Sequence, residues 1–173
     1  MVRNIKKVID QNGRPTFELK GSRLIWTNFQ GREGKYNVEG RRNFNVVLEP
    51  EDAEFMRNEG FNVKEHEPKN PDDDTLYTLK VNVNFKGFKP PTIWMKNNHG
   101  KSKLDENGVN VLDWADIIET WMSFNQHVYQ DSKTAYLNTL LVTVRESEYE
   151  SQFFDEEDSA ANTMTFASVK AND

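Results

Sequence analysis

Cysteine is absent from the 173 residues, which excludes disulfides, thiol catalysis and Cys-based zinc sites. No apolar run approaches the roughly 20 residues that a bilayer-spanning helix needs. The opening stretch, residues 1–15, has neither an apolar centre nor a small-residue cleavage site, so it does not read as a signal peptide. Histidine is scarce: His66, His99 and His127 are the three in the chain, too far apart for metal-ligand spacing. No Gly-x-Ser-x-Gly elbow occurs. Gly31-Arg-Glu-Gly-Lys35 lacks the four-residue gap and the hydroxyl of a phosphate loop, so it reads as a flexible turn. Asp72–Asp74, close to Pro68 and Pro71, reads as a solvated linker rather than a cation site. The expectation is a cytoplasmic, non-catalytic protein without cofactor or metal.

Aromatic residues are plentiful, with Phe 11, Tyr 5 and Trp 4, enough for a folded core. The length suits one domain with a tail. Net charge is -6, but the charges are segregated. Residues 1–48 hold ten Lys/Arg and four Asp/Glu, whereas residues 146–173 hold one Lys and eight acids. Without that tail the chain is near neutral and basic at its front, and an anionic polymer responds to such a local field. A merely solubilising tail is the alternative.

Residues 1–21 are mixed and polar and lead into a strand over 22–28, with Leu24 and Trp26 on its core face. A glycine-rich loop follows to Gly40. Phe44, Val46 and Leu48 alternate in a second strand. A short helix over 49–60 is announced by Pro50, early acids and a Gly60 stop. Residues 61–66 suggest a strand. Tyr77, Leu79, Val81, Val83 and Phe85 occupy every second position, so this strand is buried on one face and wet on the other. Thr92–Asn97 resumes a strand, with Trp94 out of phase with Ile93 and Met95, and 98–103 is a basic turn. A helix is expected from Asn110, with Val111, Ala115 and Ile118 on its apolar face. Residues 121–129 (Met122, Phe124 and Val128 in phase) and 136–144 complete the strands. The domain therefore spans 1–145, with 1–20 as an extension, and 146–173 is expected to be a disordered acidic tail.

The fold class expected is mainly β: a five-stranded Greek-key barrel of OB type with one or two short helices, or else a sandwich. Basic residues interleave with aromatics beside the strands. A single strand of nucleic acid needs this pairing, cations for phosphates and ring faces for bases. The candidate phosphate contacts are Arg23, Arg32, Lys35, Arg41, Arg42, Lys86, Lys89, Lys96, Lys101 and Lys103. Tyr36, Phe88 and Trp94 are the candidate stacking platforms. Trp26 and Phe44 read as core. The segment Phe153, Phe154, Asp155, Glu156, Glu157 and Asp158 is a candidate partner site that competes with nucleic acid for a basic groove.

Five segments resemble phage-encoded single-stranded-DNA-binding proteins of OB-fold type: Asn28-Phe-Gln-Gly-Arg-Glu-Gly-Lys-Tyr-Asn37, Gly40-Arg-Arg-Asn-Phe-Asn-Val46, Gly60-Phe-Asn-Val-Lys64, Leu112-Asp-Trp-Ala-Asp-Ile117 and Thr134-Ala-Tyr-Leu-Asn-Thr-Leu-Leu-Val-Thr-Val144. They run in order over about residues 20–145. The resemblance implies a barrel that coats DNA exposed during phage replication, recombination or repair in the host cytoplasm, with an acidic tail for partner proteins or autoinhibition. The chain departs from the family at Thr120–Val128, which is richer in aromatics, and in having Ser159–Asp173 after the acidic cluster. Homodimer formation stays open. The rival readings are a phage accessory module that binds protein, and a virion β-sandwich.

Overall fold

The computed structural model describes residues 3–87 and 89–145. The first two strands, β1 (Ile5–Ile9) and β2 (Pro15–Lys20), form a hairpin where the sequence suggested only a polar lead-in. The turn signal is local: Asp10 Oδ1 accepts from the Asn12 and Arg14 backbone N–H groups, and Gly13 takes a positive φ. Phe17 and Leu19 are the inward residues of β2.

Over Gly21–Arg23 the chain changes partners. The Gly21 N–H donates to the Thr120 carbonyl at 2.8 Å, and the Val47 N–H donates to the Arg23 carbonyl at 2.9 Å. Gly21 makes this turn at φ 82°, a conformation that suits glycine. Strands β3 (Leu24–Asn28) and β4 (Arg42–Leu48) then pair antiparallel. Helix α1 (Pro50–Asn58) follows, with Pro50 in its first turn. The helix buries Ala53 and Met56. Its buried Asp52 accepts from the Asn4 and Ile5 N–H groups at 2.8 and 3.0 Å, fastening the N-terminal hairpin to the helix. The next strands are β5 (Lys64–His66), β6 (Leu76–Val83), β7 (Thr92–Asn97), β8 (Gly100–Leu104), β9 (Asp116–Tyr129) and β10 (Ser132–Arg145).

The sheet order is β1-β2-β9-β10-β6-β4-β3, with β5 on β6, β7 on β10 and β8 on β7. On one side β10 runs parallel first to β6 and then to β7. A bulge at Asn138 marks the change, and its amide donates to Ser123 Oγ. One core takes inward residues from β2, β4, β6, β9 and β10, so the sheet curls around it. Phe17, Phe61 and Phe124 meet ring to ring, with centroids 5.2 to 6.2 Å apart. Phe29 stacks on Phe44.

The class is mainly β, as expected. Ten named strands are present among the described residues where five were expected. Three expectations need correcting. The basic turn at 98–103 is a hairpin strand, β8, entered through Gly100 at φ 136°. The helix from Asn110 is only a 3-10 turn, Val109–Asp113, after which β9 begins at Asp116. Val111 and Ile118 are exposed; the Asp113 side chain is committed elsewhere, as described below. Val128 lies beyond the core, because the β9–β10 ribbon outruns its neighbours. The expected tail, 146–173, lies outside the described residues.

Candidate nucleic-acid interface

The expected site residues fall into two groups on the outer side of the curled sheet. The first surrounds the loop 29–41 between β3 and β4. This loop has little freedom. Asn28 Oδ1 accepts from the Gly31 and Arg32 N–H groups. The Asn37 amide donates to the carbonyls of Arg32, Val38 and Arg41, and the Asn43 amide donates to Asn37 Oδ1. Asp113 receives the N–H groups of Phe29 and Gln30 at 2.8 and 3.0 Å. Gly31 stands at φ 76°, where an added Cβ would lie 3.1 Å from the Gly40 backbone. Gly31→Ala is therefore expected to lower stability by about 1–3 kcal/mol, read from a denaturant melt.

On this frame Arg32, Lys35 and Arg41 are exposed, and Tyr36 is 87% exposed at the tip with the Lys35 ammonium 5.4 Å from its ring. Arg42 differs. Its Nη1 donates to the Phe29 carbonyl at 2.6 Å and to Asn110 Oδ1, and the guanidinium lies over Phe85. It holds the base of the loop, with part of its donor fork already used. Lys86 and Lys89 are exposed in the turn after β6, near the same end of β4. Phe88 lies outside the described residues. Arg23 stands apart, lining a cleft of about 380 Å³ between β3 and the start of β9.

Trp26 is 57% exposed and not part of the core, which corrects the expectation from alternation. Ile25 lies opposite Asn45 and Asn28 opposite Asn43, so β3 carries one more intervening residue than β4. Trp26 sits in that bulge at φ 49° and is turned outward. Its ring meets His66 edge-on at 5.1 Å, and His66 Nε2 lies 3.1 Å from Thr78 Oγ1. This cover explains why Thr78, expected to be wet, is fully buried. Phe44 is core, as its phase indicates.

Cross-strand register places Ile25, Asn45 and Lys80 in one row. Asn28, Asn43, Asn82, Tyr136 and Asn125 form the next. Lys64 lies opposite Thr78 on the same side. The sequence reading assigned Trp26 to the core and named neither Lys64 nor Lys80 as a candidate contact. Lys80 had a signal, since it fills a wet position of the alternating strand; at Trp26 the phase of the strand pointed inward.

The second group lies on the β7–β8 hairpin. Trp94 is opposite Lys103 and Lys96 opposite Lys101, so all four side chains share one face. The Lys101 ammonium is 4.8 Å from the Trp94 ring centroid. Trp94 is half-buried and faces away from buried Ile93.

The chain is thus a curled β domain with cations and rings on its outer faces. It belongs to the phage single-stranded-DNA-binding domain family: the family model described as "Putative phage ssDNA-binding domain" matches residues 8–170. No curated protein matches the sequence. Among solved structures it is similar to the single-stranded DNA-binding protein from bacteriophage Enc34, at 10% identity and TM-score 0.48, covering 82% of this chain and 86% of that one. A C-terminal truncation of the Enc34 protein matches at 10% identity and TM-score 0.48, covering 85% and 94%. The Enc34 protein in complex with ssDNA matches at 11% and 0.47, with the same coverage. Among the described residues, no helix is long and apolar enough to cross a membrane.

Proposed function

We propose that this protein binds single-stranded DNA with little sequence preference, without catalysing a reaction on it. The observation that carries the reading is Trp26, an exposed ring held over the outer face of β3, β4 and β6. Lys64 and Lys80 share that face, and the Tyr36 loop borders it. Rings accept any base and cations accept any phosphate, so such a surface is tolerant of sequence. Family membership supports the same reading. Arg23, Arg32, Lys35, Arg41, Lys86 and Lys89 surround it as phosphate contacts, Arg42 steadies the loop, and Lys96, Lys101, Lys103 and Trp94 supply a further contact region.

The partner exchange at Gly21–Arg23 supports an OB reading of the fold. If β2 and β3 count as two halves of one bent strand, the order β3-β4-β6-β10-β9-β2 returns to its starting strand and encloses a five-stranded barrel. The remaining strands are then additions to it. In this reading the protein coats DNA exposed in the host cytoplasm during phage replication, recombination or repair. Residues 153–158 recruit partner proteins or compete for the groove, and homodimer formation is compatible with either role.

Fluorescence anisotropy of a labelled oligonucleotide, single- against double-stranded across a salt series, tests the central claim. Binding of the single strand that weakens with salt is expected; an unbound single strand in dilute buffer would refute it. A chain ending at Arg145 should bind at least as tightly as the full protein, and clearly weaker binding would refute competition by the tail.

A further inference from the structure

Following the register through five strands brings together side chains that are far apart in sequence. Lys103 lies opposite Trp94, Trp94 opposite Leu141, Leu141 opposite Trp121, and Trp121 opposite Lys20. Directly opposed residues point to the same side of a sheet, so Lys-Trp-Leu-Trp-Lys forms a continuous transverse row. Four strand spacings make it about 19 Å wide. The adjacent row adds Lys101, Lys96, Thr143 and Glu119.

Among the described residues, none of Lys20, Lys96, Lys101 and Lys103 is in an ion pair. All four are exposed, and both tryptophans and Leu141 are half-buried. The row lies across β8, β7, β10, β9 and β2, whereas Trp26 and the Tyr36 loop are carried by β3 and β4. Because the sheet curls around a single core, the outer sides of β4 and β9 face different directions.

We propose that the Lys20–Trp121–Leu141–Trp94–Lys103 row is a second, separate binding surface for single-stranded DNA, so that one protein molecule holds two strands at once. The proposal rests on the reading of the first surface as a DNA site. The indole faces and Leu141 offer an apolar platform for bases, and lysines at both ends and along one side offer phosphate contacts. Glu18 and Glu119 are carboxylates on this side, and Asp116 beyond them is paired with Arg145; they weaken the field without cancelling four lysines. The second surface therefore binds less tightly and is the first to be lost as salt rises.

The test is stoichiometry. Full-length protein is titrated at low salt with an oligothymidylate of about eight nucleotides, within the range that one such surface occludes, at concentrations well above the dissociation constant. The ratio is read from anisotropy and native mass spectrometry. The expected ratio is two oligonucleotides per chain, falling to one in the double variant Lys20→Glu/Lys103→Glu, whose circular dichroism and melting are checked against the parent. Trp94→Ala should also give one. A ratio of one for the parent overturns the proposal and leaves the first surface intact. A ratio of two that survives both variants overturns it as well, because the second strand then lies elsewhere. If no oligonucleotide binds at all, the function itself fails, and this proposal with it.

Discussion

Trp26→Ala is expected to weaken binding of single-stranded oligothymidylate by about 5- to 150-fold, the 1–3 kcal/mol that one base–ring stack contributes. The melting midpoint should change little. Trp26 is mostly solvent-exposed, and its contact is with the edge of His66 rather than with the core. The alanine keeps the same left-handed backbone, so strain is not relieved or added in the comparison. Anisotropy at fixed low salt measures the loss, and a Trp26→Phe variant should recover much of it because a ring face returns. Unchanged affinity in the alanine variant would remove Trp26 from the interface and with it the main support for the β3–β4–β6 surface.

The second large effect concerns salt. Arg32, Lys35 and Arg41 are exposed on a well-braced loop, and among the described residues none of them is ion-paired. If each meets one phosphate, replacing all three with alanine lowers the slope of log K against log salt by about 2, since each single-strand contact contributes about 0.7. At about 0.1 M salt the same relation gives roughly 100-fold weaker binding. The readout is the slope itself, because a loop that had merely lost its shape would weaken binding at every salt concentration by a similar factor. An unaltered slope would mean that these cations face solvent and not DNA. Arg42→Ala should behave in the opposite way: stability falls because the Phe29 carbonyl loses its donor, while the slope changes less.

Several parts of this architecture are legible in the sequence because they depend on local periodicity. Phe44, Val46 and Leu48, and likewise Leu79, Val81 and Val83, show their burial by alternation alone. Trp94 announces its outward direction by being out of phase with Ile93. The N-terminal hairpin was not read, because its turn residues, Asp10-Gln-Asn-Gly13, lie in a polar stretch with few apolar residues. Other parts depend on register between distant strands and leave no local trace. Nothing near Lys20 indicates that Trp121 stands beside it, and nothing near Arg42 indicates that Asn110 and the Phe29 carbonyl occupy its guanidinium. Trp26 misleads for a related reason. Alternation assumes one residue per pleat, and a bulge violates that assumption without changing the composition. The short helix expected from Asn110 ends as a 3-10 turn, and Asp113, three positions on, receives two N–H groups of the distant loop, a long-range bond with no local trace.

That carboxylate has a consequence for the proposed interface. Asp113 receives two N–H groups at the root of the 29–41 arm from more than eighty residues away in sequence. The conformational entropy of the arm is therefore given up during folding, before any ligand arrives. Tyr36 and its neighbouring cations are presented ready-placed, and an encounter does not have to organise them, so little binding energy is diverted to ordering. If DNA lies on the arm as proposed, it meets a bracket already braced at its root.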